Sequence, residues 1–461
     1  MKPEAVKYVY LIGAGGIGMS ALGRYFLKQG IPVWGYDKTR VAFTQQLEAE
    51  GMKIVYEDRS ELIPDELLDA ENRDSVLVIY TPAVPRHTAI VQTFATAGLR
   101  IFKRAEVLGM LSRGHKTLAV AGTHGKTTTS TLVAHILKVA GSEPVAFLGG
   151  IATNYGTNYL EGTSDAMMVL EADEYDRSFL FLHPHSSIIT STDADHLDIY
   201  GDRNAMQDSF TQFARQTAAE GFLLIKKGLE FPEDISTRRI SYHTQEQADV
   251  MPVHLKLEGD RYRFSIQINE TRIENLELGL PGLHNLENAL AASALCYLNG
   301  ISESSIREAL KSFAGVKRRF EYIVRKPDFI FIDDYAHHPE ELRACISSVR
   351  AIYAGKRITG VFQPHLFSRT RDFMEGFARS LELLDDVILL DIYPARELPI
   401  EGITSSALLD LIARPSKQLC TKEELAERIA ALQPEVLLTL GAGDIDALVQ
   451  PLKNRLEAEQ V

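Results

Sequence analysis

At 461 residues the chain is longer than one hydrophobic core can serve, and at about 150 residues per domain it divides into three. A hydrophobic content of 45% with 24% charged residues is a globular balance, which excludes a disordered or fibrous chain. The net charge of −13 disfavours a general nucleic-acid or anionic-membrane partner, so an anionic substrate must be gripped by local cations and Mg²⁺.

The scattered cysteines Cys296, Cys345 and Cys420 give neither a metal-ligand spacing nor a disulfide framework. The N-terminus runs almost directly into a strand without a signal-peptide pattern, and no apolar run reaches the ~18 residues of a membrane span. A cytoplasmic protein is expected.

Val6–Ile12 reads as a strand, followed by Gly13-Ala14-Gly15-Gly16-Ile17-Gly18 and a helix that Gly30 stops. The next strand ends at Asp37, 19 residues past Gly18, which fits a dinucleotide fingerprint. The same turn could hold the pyrophosphate of NAD or of another nucleotide diphosphate, and Asp37 could equally be a solvated strand end. Further strand-like runs at 53–56, 75–80 and 99–102 make the first region, 1–112, a parallel α/β unit of Rossmann type.

Lys116–Ala121 is apolar and β-prone, and leads through Gly122-Thr123-His124-Gly125-Lys126-Thr127 into a helix beginning at Thr128 and ending at Gly141. Glycines after a strand let backbone N–H groups converge on phosphate oxygens, and the helix N-terminus adds its partial positive charge. Lys126 can then reach the β/γ-phosphates and the Thr127 hydroxyl can ligate Mg²⁺. Val120 replaces the first glycine of the longer phosphate-loop pattern. Two later strands deliver acids in the same region: 166–170 ends in Glu171-Ala172-Asp173-Glu174, and 187–191 leads to Asp193-Ala194-Asp195-His196-Leu197-Asp198. Clustered carboxylates repel unless a cation sits among them, so Glu171, and less strongly His196, is a candidate metal ligand.

Val253–Asn269 alternates around Gly259-Asp260 as a β-hairpin. Asn285 and Asn288 open an Ala-rich helix, where they could cap it or face a base edge. Beyond a basic turn at 315–320, strands end in polar clusters at Asp333–Pro339, Gln363-Pro364-His365 and Gly441–Asp444, the edge where open α/β sheets bind ligands.

Together these residues resemble the Mur ligases of bacterial cell-wall synthesis. Gly122-Thr123-His124-Gly125-Lys126-Thr127-Thr128, Glu171–Glu174, Asp195–Asp198, His284–Asn288, Arg318-Arg319-Phe320 and Asp334-Tyr335-Ala336-His337-His338-Pro339 stand in that family's order and spacing. Its loop is G-T-x-G-K-T, which accommodates Val120. The resemblance implies three α/β domains: a Rossmann-like UDP-sugar domain at 1–112, a central phosphate-loop ATPase domain at 113–315, and a Rossmann-like amino-acid domain at 316–461. Gly13–Gly18, Gln363–His365 with Ser368-Arg369-Thr370-Arg371-Asp372, and Asp391–Glu397 look like the branch that joins L-alanine to UDP-N-acetylmuramate. The branch that recycles cell-wall tripeptide is the nearest alternative, favoured by Glu174-Tyr175-Asp176. An NAD-dependent oxidoreductase is remote, since it leaves the phosphate loop idle.

The resemblance further implies an ATP- and Mg²⁺-dependent amide-forming ligase, active as a monomer or weak homodimer. Gly122–Thr128, Asn288 and Arg319 would bind ATP, and Thr127, Glu171 and His196 would hold Mg²⁺. Gly13–Gly18 and Asp37 would hold the UDP-sugar, while Tyr335, His337, His365 and Arg369 would surround the amino acid. Lys126, Glu171, His196, Arg319 and His337 form the catalytic set. Two positions depart from the pattern. Leu366 stands where the alanine-adding branch often has arginine, and no lysine lies between His196 and Lys226 to bridge metals.

Overall fold

A computed structural model describes residues 5–163, 165–193, 200–395 and 397–458. Three sheets carry the chain, and each is built around strands whose side chains are buried on both faces. Such strands read as unbroken apolar runs, which is why their positions are visible in the sequence.

The first sheet is all parallel, with order β3-β2-β1-β4-β5, from β1 (Tyr8–Ile12), β2 (Val33–Tyr36), β3 (Lys53–Val55), β4 (Val76–Tyr80) and β5 (Ile101–Lys103). The chain leaves β1 for β2 on one side and returns to β4 on the other. The carboxyl end of β1 is therefore the switch point, where a crevice opens outside the sheet. The turn Gly13–Gly18 occupies that end, and the helix Ile17–Lys28 follows it. The last strand starts at Ile101, two residues later than the apolar run suggests, because Leu99 N–H still closes the preceding helix onto Phe94 O at 3.1 Å.

The second sheet has the order β15-β14-β13-β12-β11-β10-β6-β9-β7-β8. Its strands are β6 (Thr117–Ala121), β7 (Val145–Ala152), β8 (Thr157–Leu160), β9 (Met168–Ala172), β10 (Ser186–Ile189), β11 (Phe222–Lys226), β12 (Arg238–Tyr242), β13 (Val250–Glu258), β14 (Arg261–Ile268) and β15 (Thr271–Leu278). β6 is flanked by β9 and β10, both parallel to it, so three carboxyl ends share one edge. β7 and β8 form an antiparallel hairpin that joins this sheet through β9. The helix Ile17–Lys28 packs on that hairpin: Tyr25 lies 5.6 Å from the Phe147 ring and 6.2 Å from the Tyr159 ring, within one continuous core.

The third sheet, β16-β17-β21-β18-β19-β20, is parallel except for the edge strand β16. It uses β16 (Glu321–Arg325), β17 (Ile330–Asp334), β18 (Ile358–Phe362), β19 (Asp386–Leu389), β20 (Lys417–Leu419) and β21 (Val436–Leu440). β19 ends at Leu389. Beyond it the chain turns to bridge Tyr393 to His365.

The chain divides into two units. One runs through His254 and takes in Phe264–Leu276 and Asn288–Phe313; the other takes Leu255–Arg263, Glu277–Glu287 and the chain from Ala314. Among the described residues no helix is long and apolar enough to cross a membrane.

Candidate active site

In the first unit the phosphate loop is pinned from beside. Thr190 Oγ1 donates to Ala121 O at 3.2 Å, Thr123 N–H donates to Ser191 O, and His124 N–H reaches Ser191 Oγ at 2.8 Å. Gly122 has φ +135°, and a Cβ there would sit 2.0 Å from Thr190 Oγ1 and 2.9 Å from Ser191 N. Gly125 is left-handed at φ +79°, and a Cβ would meet Asn288 Oδ1 at 2.7 Å. Both glycines are therefore required by conformation and by space. Asn288 is buried against the loop, while Asn285 Nδ2 donates to Pro281 O at 2.6 Å, so the two asparagines do different work.

Lys126 opens the helix Lys126–Val139. Its Nζ donates to Gly122 O at 2.6 Å and lies 2.7 Å from Glu174 Oε2. Burial works against its charge, but Glu174, Asp173 and Glu171 outweigh it and raise the lysine pKa. Glu174 is itself buried, with Tyr200 O–H donating to its backbone carbonyl at 2.6 Å. The second glutamate of this strand end is thus the counter-ion of the loop lysine. Asp176 pairs with Lys103 at 2.5 Å, and it and Arg177 are left-handed at φ +54° and +53°. The Glu174-Tyr175-Asp176 signature accordingly has internal partners.

Glu171 is the penultimate residue of β9, in register with Val120 on β6. Among the described residues its buried Oε2 has no hydrogen-bond partner, and it lies 2.0 Å from where a Cβ on Gly149 would be. An anionic oxygen left unpaired beside the phosphate loop suits a hard cation. Thr127, the other described candidate ligand, is buried one residue into the helix. Among the described residues no three His, Cys, Asp or Glu side chains cluster as a metal site by themselves. His196 lies outside the described residues.

A cleft of about 250 Å³ connects this edge to the first sheet. Gly16, Ile17 and Gly18 line one side, Leu148, Gly149, Glu171 and Asp173 line another, and Arg104 stands among them. Arg104 Nη2 is 3.4 Å from Asp173 Oδ2, and its guanidinium would meet a Cβ on Gly18 at 2.5 Å. Asp37 accepts from Gly15 N–H at 2.8 Å and from Thr39 N–H at 3.1 Å, so its carboxylate holds the turn in shape. Sequence reading passed over Arg104 and Gly149, although both left signals. Arg104 follows the carboxyl end of β5, and Gly149-Gly150 inside a strand marks a close approach.

In the second unit Asp334 is buried at the end of β17, accepting from Phe320 N–H at 2.7 Å and Ala336 N–H at 2.8 Å. Burial raises its pKa to about 6. These bonds tie the Arg318–Phe320 turn to the Tyr335–His337 segment, and both arginines flank the Tyr335 ring, at 5.0 and 4.9 Å. His337 Nδ1–H donates to Tyr335 O at 2.9 Å, and burial pushes its pKa down to about 4. The ring is therefore neutral at physiological pH, with Nε2 left as an acceptor. His365 lies 6.2 Å from the His337 ring and stacks on Tyr393 at 5.7 Å. Arg369, buried on the first turn of the helix Phe367–Leu381, places Nη1 3.4 Å from His365 Nδ1. Tyr335, His337, His365 and Arg369 thus gather with Tyr393, which sequence reading left unassigned. Leu366 sits at φ +69° before that helix, its N–H on Tyr393 O at 2.9 Å.

Comparison with known proteins covers both units. The Mur ligase family catalytic domain matches residues 8–116, the Mur ligase middle domain matches 120–296, and the Mur ligase glutamate ligase domain matches 318–444. The curated UDP-N-acetylmuramate–L-alanine ligase of Parabacteroides distasonis is 47% identical, across 99% of this chain and 98% of that protein. That of Cytophaga hutchinsonii is 46% identical over 96% of each. Among solved structures, the UDP-N-acetylmuramate-alanine ligase of Thermotoga maritima superposes with a TM-score of 0.82 at 27% identity, covering 98% of this chain and 99% of that one. A murein peptide ligase from Psychrobacter arcticus shares the fold, with a TM-score of 0.70 at 23% identity over 98% of each chain.

Proposed function

The chain belongs to the Mur ligase family, and from that premise we propose that it joins L-alanine to the carboxylate of UDP-N-acetylmuramate at the expense of ATP, in peptidoglycan precursor synthesis. The observation that carries this reading is the cleft that links the Gly16–Gly18 turn to Glu171 and Asp173 beside the phosphate loop. A sugar nucleotide whose diphosphate sits on the turn can extend along that cleft and present its carboxylate at the phosphate edge. We assign the three domains to residues 1–112, 113–315 and 316–461, and the buried free cysteines suit a reducing cytoplasm.

The substrate carboxylate attacks the γ-phosphorus of ATP, ADP leaves, and an acyl phosphate forms. The L-alanine amine, once deprotonated, attacks the acyl carbon. The tetrahedral intermediate then expels inorganic phosphate and leaves the amide. A carboxylate approaching a triphosphate meets like charge, so catalysis rests on cations fixed beforehand. Lys126 and Arg319 supply two of them. Thr127 and Glu171, with His196 as a further ligand, would hold Mg²⁺, which would supply a third by offsetting phosphate charge. Gly122–Thr128 cradle the phosphates, and Asn288 borders the nucleotide. Arg104 adds a cation on the sugar-nucleotide side. Neutral His337 accepts a hydrogen bond from the amine without repelling it.

The decisive test is amide formation with UDP-N-acetylmuramate against a panel of amino acids and the recycling tripeptide, using substrate labelled with ¹⁸O in its carboxylate. Label is expected in the released phosphate, with L-alanine as acceptor. Phosphate release that needs neither sugar nucleotide nor amino acid overturns the reading, as does a clear preference for the tripeptide. For the metal, Glu171→Gln raises the Mg²⁺ concentration needed for half-maximal rate by about tenfold, the scale of a lost anionic contact. An unchanged Mg²⁺ requirement shows that Glu171 is not a ligand.

A further inference from the structure

A polar knot lies in the otherwise apolar seam between the helix Ile17–Lys28 and the β7–β8 hairpin. Asn158, on β8, is completely buried. Its Oδ1 accepts from Arg24 Nη1, and its Nδ2 donates to Ile17 O and to Ser20 Oγ, the latter at 3.1 Å. Arg24, only 6% exposed, completes the knot with a two-point bond to Glu50 at 2.6 and 2.8 Å. Every hydrogen of the Asn158 amide and its oxygen are used. Aspartate would lose the donors and leucine would lose everything.

The location gives the knot its consequence. Ile17 is the first residue after the glycine turn to enter the helix, and Ile17 and Gly18 line the cleft. Asn158 adjoins Tyr159, which pairs with Phe147 on β7, and Phe147, Leu148 and Gly149 line the same cleft opposite. Gly149 in turn lies against the Glu171 carboxylate. Apolar contacts such as Tyr25 on Phe147 and Tyr159 are non-directional and would tolerate a small slide of the helix. A buried amide that bonds one named carbonyl tolerates none, because each broken bond strands a desolvated group.

We propose that Asn158, backed by Arg24 and Glu50, is a positioning element. It fixes the glycine turn relative to the Glu171 strand, and so sets how the sugar nucleotide's carboxylate is presented. This rests on the function proposed above. It predicts a split between two ligands: UDP reports mainly on the glycine turn, whereas UDP-N-acetylmuramate must also fit the cleft.

Calorimetric titration of the full chain with each ligand tests it. Asn158→Ala is expected to weaken UDP-N-acetylmuramate by about tenfold, the scale of stranding one or two buried polar groups, and to raise its KM in parallel. UDP affinity and the KM for ATP stay within about twofold. Ser20→Ala and Glu50→Gln, which disturb the knot with less lost volume, move the same ratio in the same direction by less, and carry the test should Asn158→Ala fail to fold. Equal weakening of both ligands, or no change in a folded variant, overturns the proposal, because a merely structural knot would alter melting temperature without altering the ratio. Wild-type chain that binds UDP but not UDP-N-acetylmuramate overturns the functional reading itself, and this inference with it.

Discussion

Lys126→Ala lowers kcat by about 10³-fold, the effect expected when a preorganised charge at a transferring phosphoryl group is removed. The structure adds a second consequence that the motif alone does not reveal. Lys126 is ion-paired with Glu174 at 2.7 Å, and Glu174 is almost wholly buried. Deleting the lysine leaves a desolvated carboxylate without its partner, which costs roughly 3 kcal/mol of stability. Part of any activity loss in the single variant could then be a folding loss. The double variant Lys126→Ala with Glu174→Gln separates the two. A neutral amide needs no counter-ion, so thermal stability recovers most of the deficit while kcat stays low. Turnover of wild-type size in either folded variant sinks the assignment of Lys126 to phosphate. Recovery of kcat together with stability shows that the lysine serves the fold and not the chemistry.

That pair also marks how far the sequence can be read. The loop, its strand and its helix are legible because glycine, lysine and threonine at fixed spacing after an apolar run have a local physical meaning. Glu171 is legible for the same reason, as an acid at the end of a buried strand. The partner of Lys126 is not, since nothing local says which of three neighbouring acids turns inward; Tyr200 on the Glu174 carbonyl and the left-handed residues Asp176 and Arg177 decide it. Asn158 was equally invisible. Its partner Arg24 lies 134 residues earlier, and an asparagine near a Gly-Thr turn reads as loop chemistry until the fold buries it. Asp37 shows the opposite difficulty. Its place after β2 is easily found, yet its bond to Gly15 N–H makes it a brace of the turn, a role the fingerprint spacing does not distinguish from ribose binding. The hairpin β7–β8 went unread because Gly149 and Gly150 interrupt its pattern, and those glycines are where Glu171 comes close.

Arg369→Ala raises the KM for L-alanine by about 100-fold, and the KM values for ATP and UDP-N-acetylmuramate barely move. Besides an amino-acid carboxylate, the sequence leaves the nearby Asp372 or a neighbouring helix open as partner for this arginine. In the structure Asp372 is taken by Arg371, 2.7 Å away on the exposed side of the helix. Arg369 points the other way, buried beside His365, which stacks on Tyr393 and faces the His337 ring. A cation next to two imidazoles and a phenol is a suitable receptor for a small zwitterion. The guanidinium takes the carboxylate through two parallel bonds, and neutral His337 leaves the amine unrepelled. Losing both charge-assisted bonds is worth about 3 kcal/mol, hence the hundredfold estimate. Arg369→Lys keeps the charge but not the fork, so it recovers only part of the affinity and remains roughly tenfold weaker than wild type. Arg371→Ala is the internal control, since it removes an exposed pair worth little and leaves the KM for L-alanine within about twofold. Steady-state kinetics on the three variants with each substrate varied in turn checks the set. A rise in all three KM values for Arg369→Ala would show that the arginine braces the Gln363–His365 strand end and does not read the amino acid.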